Sequence, residues 1–178
     1  MEGYSTEVTG TYSHAEGYNA KASGNTSHAE GYGTKATSNY SHAEGYGTAA
    51  GGEASHVGGY NTTILYTGKG AFAHGYSTKL YNNPNGFSTS YEMLPYLDQN
   101  SCMVVWGDGA TAFGKNNVAC SRGTFTAGEL NKVVSIGGAA LNTGNSVLAS
   151  NCTVTGSNNQ AGLTVTTLPT TSTYTIDE

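Results

Sequence analysis

Small residues alternate with large polar ones over short segments of this chain, and the alternation returns at a fixed interval. The phrase SHAEGY occupies residues 13–18, 27–32 and 41–46, and a variant, SHVGGY, occupies 55–60. Successive copies start fourteen residues apart. A period of two is typical of a half-buried β-strand, whereas the many Gly, Ser, Thr and Asn residues and the lack of an apolar stripe disfavour a helix. The pattern predicts an all-β repeat protein.

The fourteen-residue step continues through most of the chain. HGYST at 74–78 follows after sixteen residues, so a two-residue insertion precedes it. In the second half Asn142 takes the place of the repeat glycine, and Asn is the residue that best replaces glycine at a positive φ. We assign the repeat glycines to turns: Gly17, Gly31, Gly45, Gly59, Gly75, Gly114, Gly128 and Gly156.

Two short strands and two tight turns fill about fourteen residues. Coils of this kind, stacked at about 4.8 Å, form a β-solenoid, here a narrow two-sided roll, and about a dozen coils give a rod on the order of 55 Å long. We expect a thin interior, because the inward positions hold small residues such as Ala15, Ala29, Thr34 and Ala36. Small side chains bury little apolar area. The roll is therefore expected to need partners.

The outward positions of the second half indicate where a partner lies. In ATAFG at 110–114, TFTAG at 124–128 and GAALN at 138–142, the same alternation leaves large apolar residues outside. A row of exposed apolar side chains indicates an interaction surface. We predict a subunit interface along the face that carries Phe113, Phe125 and Leu141.

The repeats divide the chain into four segments. We predict SHAEGY-type β-roll repeats over 1–78, an irregular insertion over 79–109, degenerate β-roll repeats over 110–165 and a Thr-rich tail or link over 166–178.

The insertion is the candidate for specific recognition, because binding residues concentrate on irregular segments held by a rigid scaffold. Its aromatic residues Tyr91, Tyr96 and Trp106 are the predicted binding residues. The alternative is that the apolar residues of this segment cap or splice the two rolls.

Composition and charge disfavour several function classes. Charged residues make up 11% of the chain and the net charge is −5, which disfavours nucleic acid and acidic membranes as partners. No apolar run is long enough to span a bilayer. Cys102, Cys120 and Cys152 lack metal-knuckle spacing and are expected to be free thiols. The sequence has no GxSxG, HExxH or P-loop, and we predict neither an enzyme nor a cofactor.

The repeat resembles that of a known family. SHAEG at 13–17, 27–31 and 41–45 is similar to the fourteen-residue repeat Ser-Val-Ala-Ile-Gly of the heads of trimeric autotransporter adhesins (YadA-like heads), with His for Val and Glu for Ile. ATAFG at 110–114 is closer to that form. SHAEG-type repeats also resemble segments of phage tail-fibre and neck-appendage proteins.

The resemblance covers about 3–78 and 110–160. It implies a left-handed parallel β-roll with three chains around one axis, used as a stalk or head that displays binding surfaces. The sequence shows no coiled-coil heptads, membrane anchor or secretion signal of an autotransporter. We therefore expect a homotrimeric virion protein: a segment of a phage fibre, spike or appendage that contacts other virion proteins and cell-surface glycan.

Two other functions stay open at this point. The first is the head of a bacterial surface adhesin, which would be extracellular. The second, less favoured, is a glycan-degrading tailspike domain, which needs an acidic pair in a groove, such as Glu92 with Asp98 or Asp108. An ice-binding solenoid is disfavoured further, because the threonine column is interrupted at Ala20.

The repeat places histidines and glutamates at equivalent positions of successive coils. We favour a trimer interface in which each imidazole donates to a glutamate of the next chain. A transition-metal site at the trimer axis and plain solvent-facing ladders are the alternatives; the sequence has no HxH pair, and we predict no metal. The ladder residues are His14, His28, His42, His56, Glu16, Glu30 and Glu44.

A tyrosine follows most of the repeat glycines of the first half, including Gly17, Gly31 and Gly45. Such a column either stacks ring on ring, which stiffens one edge of the roll, or offers an aromatic strip to sugars. We favour stacking.

Overall fold

The computed structural model of the chain describes residues 1–77, 104–105, 107–148 and 150–162. All regular elements in these ranges are β-strands, and they form two parallel ten-stranded sheets. Each coil contributes one longer strand to the first sheet and one two-residue strand to the second. The prediction of an all-β solenoid with coils of about fourteen residues is confirmed, and the described residues contribute ten strands to each sheet.

The first sheet contains β1 (Glu2–Tyr4), β3 (His14–Tyr18), β5 (His28–Tyr32), β7 (His42–Tyr46), β9 (His56–Tyr60), β11 (Phe72–Tyr76), β13 (Thr111–Lys115), β15 (Phe125–Glu129), β17 (Ala139–Thr143) and β19 (Thr153–Val154). The second sheet contains β2 (Glu7–Val8), β4 (Lys21–Ala22), β6 (Lys35–Ala36), β8 (Ala49–Ala50), β10 (Thr63–Ile64), β12 (Val104–Val105), β14 (Val118–Ala119), β16 (Lys132–Val133), β18 (Ser146–Val147) and β20 (Gln160–Ala161).

The strands pair so that equivalent residues of successive repeats lie side by side. His14 lies beside His28, which lies beside His42. The step widens to sixteen residues between His56 and Phe72, as the two-residue insertion requires. Phe72 then lies beside Thr111, thirty-nine residues further along the chain, so the long insertion falls between β11 and β12.

The second sheet resumes at Val104–Val105, earlier than residue 109, where the sequence pattern placed the end of the insertion. Both valines are fully buried and lie beside Thr63 and Ile64. The short strands of the first half are Glu-Val, Lys-Ala, Ala-Ala or Thr-Ile, so none of them is a pair of valines. An apolar pair in that slot did not match the repeat.

The core is a thin column of small side chains enclosed by the two sheets. On the first sheet Ala15 and Ala29 are fully buried, and on the second sheet Ala22 and Ala36 are fully buried. Thr34 is also fully buried, as the alternation predicted. In the second half valines take over the inward positions of the short strands, including Val105, Val133 and Val147.

The repeat glycines lie inside the longer strands rather than in the turns to which the sequence pattern assigned them. Gly17 and Gly31 are the fourth residues of β3 and β5, with φ of +110° and +109°. A Cβ at Gly31 would lie 2.2 Å from the carbonyl oxygen of Gly45 in the next coil. Glycine is therefore needed for close backbone approach between coils. Gly156 has a φ of +96° but follows β19.

The turns depend on other residues in the left-handed region. After the longer strands this residue is Asn19 (φ 52°), Gly33 (φ 64°) or their equivalents. At the second turn it is Thr26 (φ 54°) or Ala54 (φ 54°) in the first half and a glycine such as Gly123 (φ 66°) in the second. Two left-handed residues and one strand glycine per coil thus close each fourteen-residue loop.

An asparagine ladder occupies the slot before the short strand in the second half. Asn131 Nδ2 donates to the carbonyl oxygens of Ala127 and Asn142, at 3.0 and 2.8 Å. The backbone N–H of Asn145 donates to Asn131 Oδ1 at 3.0 Å. Asn131 is buried, so these bonds satisfy backbone groups that water does not reach.

Candidate functional site

The outward side of the first sheet presents two adjacent columns of side chains, which we call the outer face. The column that opens each longer strand runs through His14, His28, His42, His56, Phe72, Thr111, Phe125 and Ala139. The column two residues further on runs through Glu2, Glu16, Glu30, Glu44, Gly58, His74, Phe113, Ala127 and Leu141. Glu2 extends the glutamate column, whereas His74 lies in that same column after Gly58 and not in the histidine column. Their signal was the partial repeat phrases EGYST and HGYST.

Histidines and glutamates of the outer face approach each other within one chain. His14 Nε2 lies 3.5 Å from Glu16 Oε2, and His56 Nε2 lies 3.3 Å from Glu44 Oε1. The sequence pattern predicted these partners on neighbouring chains. Because the two columns are only two residues apart on the same side of a strand, an imidazole and a carboxylate can meet without a second chain.

The remaining contacts reach across coils or along a strand. His42 Nε2 lies 3.8 Å from Glu30 Oε1, and His74 Nε2 lies 3.7 Å from Glu44 Oε1. His28 Nε2 lies 4.0 Å from Glu30 Oε2. Each contact joins groups that are about one-third to one-half exposed.

Burial and neighbouring groups shift the pKa values of His42 and Glu44 on the outer face. Burial lowers the pKa of His42, and the neighbouring His56 and His28 lower it further. A hydrogen bond with His56 lowers the pKa of Glu44. Near neutral pH, His42 is therefore an unprotonated nitrogen donor and Glu44 is an anion.

The series of ring contacts on the outer face passes from imidazoles to phenyl rings. His28 and His42 stack with centroids 4.9 Å apart and planes inclined by 3°, whereas His14 and His28 meet edge to face at 73°. His56 stacks on Phe72 at 5.0 Å. Phe72, Phe113 and Phe125 then follow at 5.3 and 6.2 Å. The outer face thus changes from polar to apolar along the rod, with Phe72 and Phe125 in the first column and Phe113 in the second.

The apolar part of the outer face is accessible in the single chain. Phe113 is 40% exposed and Phe125 is 37% exposed, while Leu141 is half-buried. Large apolar side chains in line on one face are typical of an interaction surface. The predicted interface residues of both halves therefore lie on one continuous surface.

Two groups of side chains on the outer face have the composition of metal ligands. His14, Glu16 and His28 form one group, in which one ligand atom from each residue lies within 4.8 Å of the others. The second group consists of Glu30, His42 and Glu44, with the same spacing. An open groove beside them is lined by Glu2, Glu16, Glu30, Glu44 and the glycines that follow each of these residues.

The tyrosines form a continuous stack at the edge of the first sheet. The centroids of Tyr18 and Tyr32 are 4.8 Å apart with planes inclined by 6°, and those of Tyr32 and Tyr46 are 4.7 Å apart at 3°. The stack extends from Tyr4 to Tyr76. The stacking prediction is confirmed. Because each ring covers the face of the next, the ring faces inside the stack are not open to sugars.

Several predicted residues are not brought into this surface. Tyr91, Tyr96, Trp106, Glu92 and Asp98 lie outside the described residues. Asp108 is exposed, and its Oδ1 accepts a hydrogen bond from the backbone N–H of Lys69 at 3.0 Å, so it serves a turn.

The described cysteines are free thiols, as the sequence predicted. Cys120 is buried, and this burial raises its pKa, so it stays a protonated thiol. Cys152 is half-buried.

Comparison of the chain with protein-family models gives no match, and no curated protein sequence matches it. Within the ranges that the structure describes, no helix has the length and apolar character needed to cross a bilayer.

Proposed function

We propose that this chain is a homotrimeric, left-handed β-roll segment of a phage fibre, spike or appendage that serves structure and host-surface attachment. The trimer is supported by one observation above all: Phe113 and Phe125 are exposed on adjacent strands of the same face of a parallel sheet. The left hand and the virion setting rest on the resemblance of SHAEG to adhesin heads and phage appendages.

The thin core supports the same proposal. Inward side chains of the first half are mostly Ala, Ser and Thr, which supply little apolar burial per coil. Packing three outer faces around one axis would bury the phenyl rings of the second half and shield the His–Glu contacts of the first. Repeated, identical rungs suit a scaffold rather than a catalytic cleft, which needs one matched pair of groups with separated pKa values.

Analytical ultracentrifugation of the full chain at micromolar concentration tests the trimer. We expect a single species of three chains for the unmodified protein and dissociation for Phe113→Asp, because a carboxylate would be buried without a partner. Tyr66→Asp is the matched control, since Tyr66 is 79% exposed and lies outside the outer face. A monodisperse monomer would refute the proposal.

Attachment is tested separately, by binding of the assembled protein to bacterial cell-surface polysaccharide. We expect saturable binding without loss of polysaccharide viscosity. Loss of viscosity would instead support the glycan-degrading alternative. The prediction that Tyr91, Tyr96 and Trp106 contact the glycan stays a prediction, and an alanine variant of each that binds normally would contradict it.

A further inference from the structure

The His–Glu contacts on the outer face are longer than charge-assisted hydrogen bonds, and the shortest is the hydrogen bond between His56 and Glu44. Five Nε2···Oε separations fall between 3.3 and 4.0 Å, whereas charge-assisted N–H···O bonds are about 2.7–2.9 Å long. On the same scaffold, Lys115 Nζ lies 2.7 Å from Glu129 Oε1 and Lys21 Nζ lies 3.0 Å from Glu7 Oε1. The solenoid therefore allows short ion pairs, and the imidazole columns do not form them.

Two of the imidazole nitrogens lack a hydrogen-bond partner. Nε2 of His28 and Nε2 of His42 are buried and accept or donate no hydrogen bond, although Glu30 oxygens lie 4.0 and 3.8 Å away. A buried polar atom without a partner costs free energy. A ligand that bonds both to these nitrogens and to the neighbouring carboxylates would remove that cost.

The spacing matches two ligands of one small cation better than it matches direct contact. Bonds of about 2.0–2.1 Å to tetrahedral Zn²⁺ place two ligand atoms about 3.4 Å apart. Ligand atoms of His14, Glu16 and His28 lie within 4.8 Å of one another, so small side-chain rotations would bring all three onto one ion. The first group has two imidazoles and one carboxylate, and the second has one imidazole and two carboxylates. Mixed imidazole and carboxylate ligands suit Zn²⁺ and its first-row neighbours, whereas Mg²⁺ and Ca²⁺ prefer oxygen ligands.

Charge favours the same ligand. Glu2, Glu16, Glu30 and Glu44 lie in one column at successive coils, so their carboxylates repel one another. A divalent cation between the columns would offset this repulsion.

We propose that the outer face binds first-row divalent metal ions of the Zn²⁺ type, one at His14–Glu16–His28 and one at Glu30–His42–Glu44. Each triad supplies three ligands and leaves a fourth position for water or a group from a neighbouring chain. The proposal goes beyond the attachment role and needs only one chain, so the ultracentrifugation result does not decide it.

Isothermal titration of the full chain with Zn²⁺, after chelator treatment, tests the proposal. We expect two ions per chain with micromolar or tighter affinity, unchanged by excess Mg²⁺. His28→Gln and Glu16→Gln should each lower the affinity of one site by roughly tenfold or more and leave the other site intact. His42→Gln should do the same for the second triad. Circular dichroism establishes that each variant is folded.

Glu7→Gln is the matched control, because Glu7 pairs with Lys21 in the second sheet, outside both triads. This variant should bind two ions like the unmodified chain. No Zn²⁺ binding, displacement by Mg²⁺, or an equal loss in Glu7→Gln and Glu16→Gln would each overturn the proposal.

Imidazole NMR gives a readout that holds even where a variant misfolds. Ring resonances of His14, His28 and His42 should shift on Zn²⁺ addition to the unmodified chain. Unchanged ring resonances would overturn the proposal.

Discussion

The two halves of the rod build the same coil from different side chains. In the slot before the short strand, the first half has buried threonines such as Thr34 and Thr48, and the second half has the asparagine ladder of Asn117, Asn131 and Asn145. The Oγ1 of Thr34 is buried without a hydrogen-bond partner, whereas Asn131 binds three backbone groups. The coil geometry therefore tolerates very different hydrogen bonding inside.

The outer face differs between the halves as well. His14, His28 and His42 face outward in the first half, and Phe113 and Phe125 occupy the same two columns in the second. The backbone needs glycine and small inward residues at set positions but places no such demand on the outward columns. The side chains of the outward columns can therefore differ between the halves, and they determine the surface chemistry of each half.

The largest effect is expected at the strand glycine of the first half. In Gly31→Ala, the new Cβ would lie 2.2 Å from the Gly45 carbonyl oxygen at a φ of +109°, and we expect a loss of about 4 kcal/mol or more in the free energy of unfolding. Gly33→Ala is the control, because its Cβ would meet nothing within 4 Å, and strain alone costs about 1–2 kcal/mol. Urea titration measures both.

The position of Gly31 also differs between the halves, because the equivalent residue of the second half is Asn142, with a φ of 74°. Gly31→Asn should still be strongly destabilising, because Asn tolerates a positive φ but its Cβ would meet the same Gly45 carbonyl oxygen. Equal losses in Gly31→Ala and Gly33→Ala would contradict the close-approach explanation.

The second-largest loss in the free energy of unfolding is expected for a substitution in the asparagine ladder. Asn131→Ala leaves two carbonyl oxygens and one N–H without their partner, and we expect a loss of about 3 kcal/mol. Thr34→Ala removes a hydroxyl that has no hydrogen-bond partner and should cost roughly 1 kcal/mol or less. Similar losses for both in urea titration would show that the two slots are equivalent after all.

Acid should separate the halves, with a more moderate effect because the groups involved are partly exposed. The pKa of His42 lies below its ordinary value of 6.5 and that of Glu44 below 4.5. Groups whose folded pKa is lowered stabilise the fold above the unfolded pKa and lose this contribution as pH falls through the folded pKa. The first half should therefore loosen as pH falls from about 6.5 to below 4.5.

Hydrogen exchange with mass spectrometry, in the presence of a chelator, locates this loosening. Peptides from β3, β5 and β7 should lose protection before peptides from β15 and β17, whose outward residues Phe125 and Leu141 do not titrate. Simultaneous loss of protection in both halves would contradict the prediction that acid loosens the first half before the second.

The smallest expected effect is a gain in stability at a turn. Ala54 has a φ of 54°, whereas the equivalent turn residues of later coils, Gly109 and Gly123, are glycines. Ala54→Gly should raise the free energy of unfolding by about 0.5–1 kcal/mol, because strain relief exceeds the entropic cost of glycine. Gly123→Ala is the reverse test, and thermal melting of the two variants should shift in opposite directions.

The sequence by itself determined the coil. The fourteen-residue step and the alternation of small and large residues around Ala15 and Ala29 were enough to predict the solenoid, its inward and outward sets and the tyrosine stack. The physical reason is that stacking every repeat on the next makes any residue the neighbour of its own equivalent. The period of the sequence therefore predicts which residues are neighbours in the folded chain.

Only the tertiary structure decided what the period does not encode. Gly31 was placed in a turn because glycine usually marks one, yet it lies in a strand where coils approach closely. Val104 and Val105 do not match the residues of the repeat, yet they form its short strand, because that position requires buried side chains rather than particular residue types. The distances between His and Glu side-chain atoms within one chain also required the three-dimensional structure, because the spacing of residues along the sequence does not determine them.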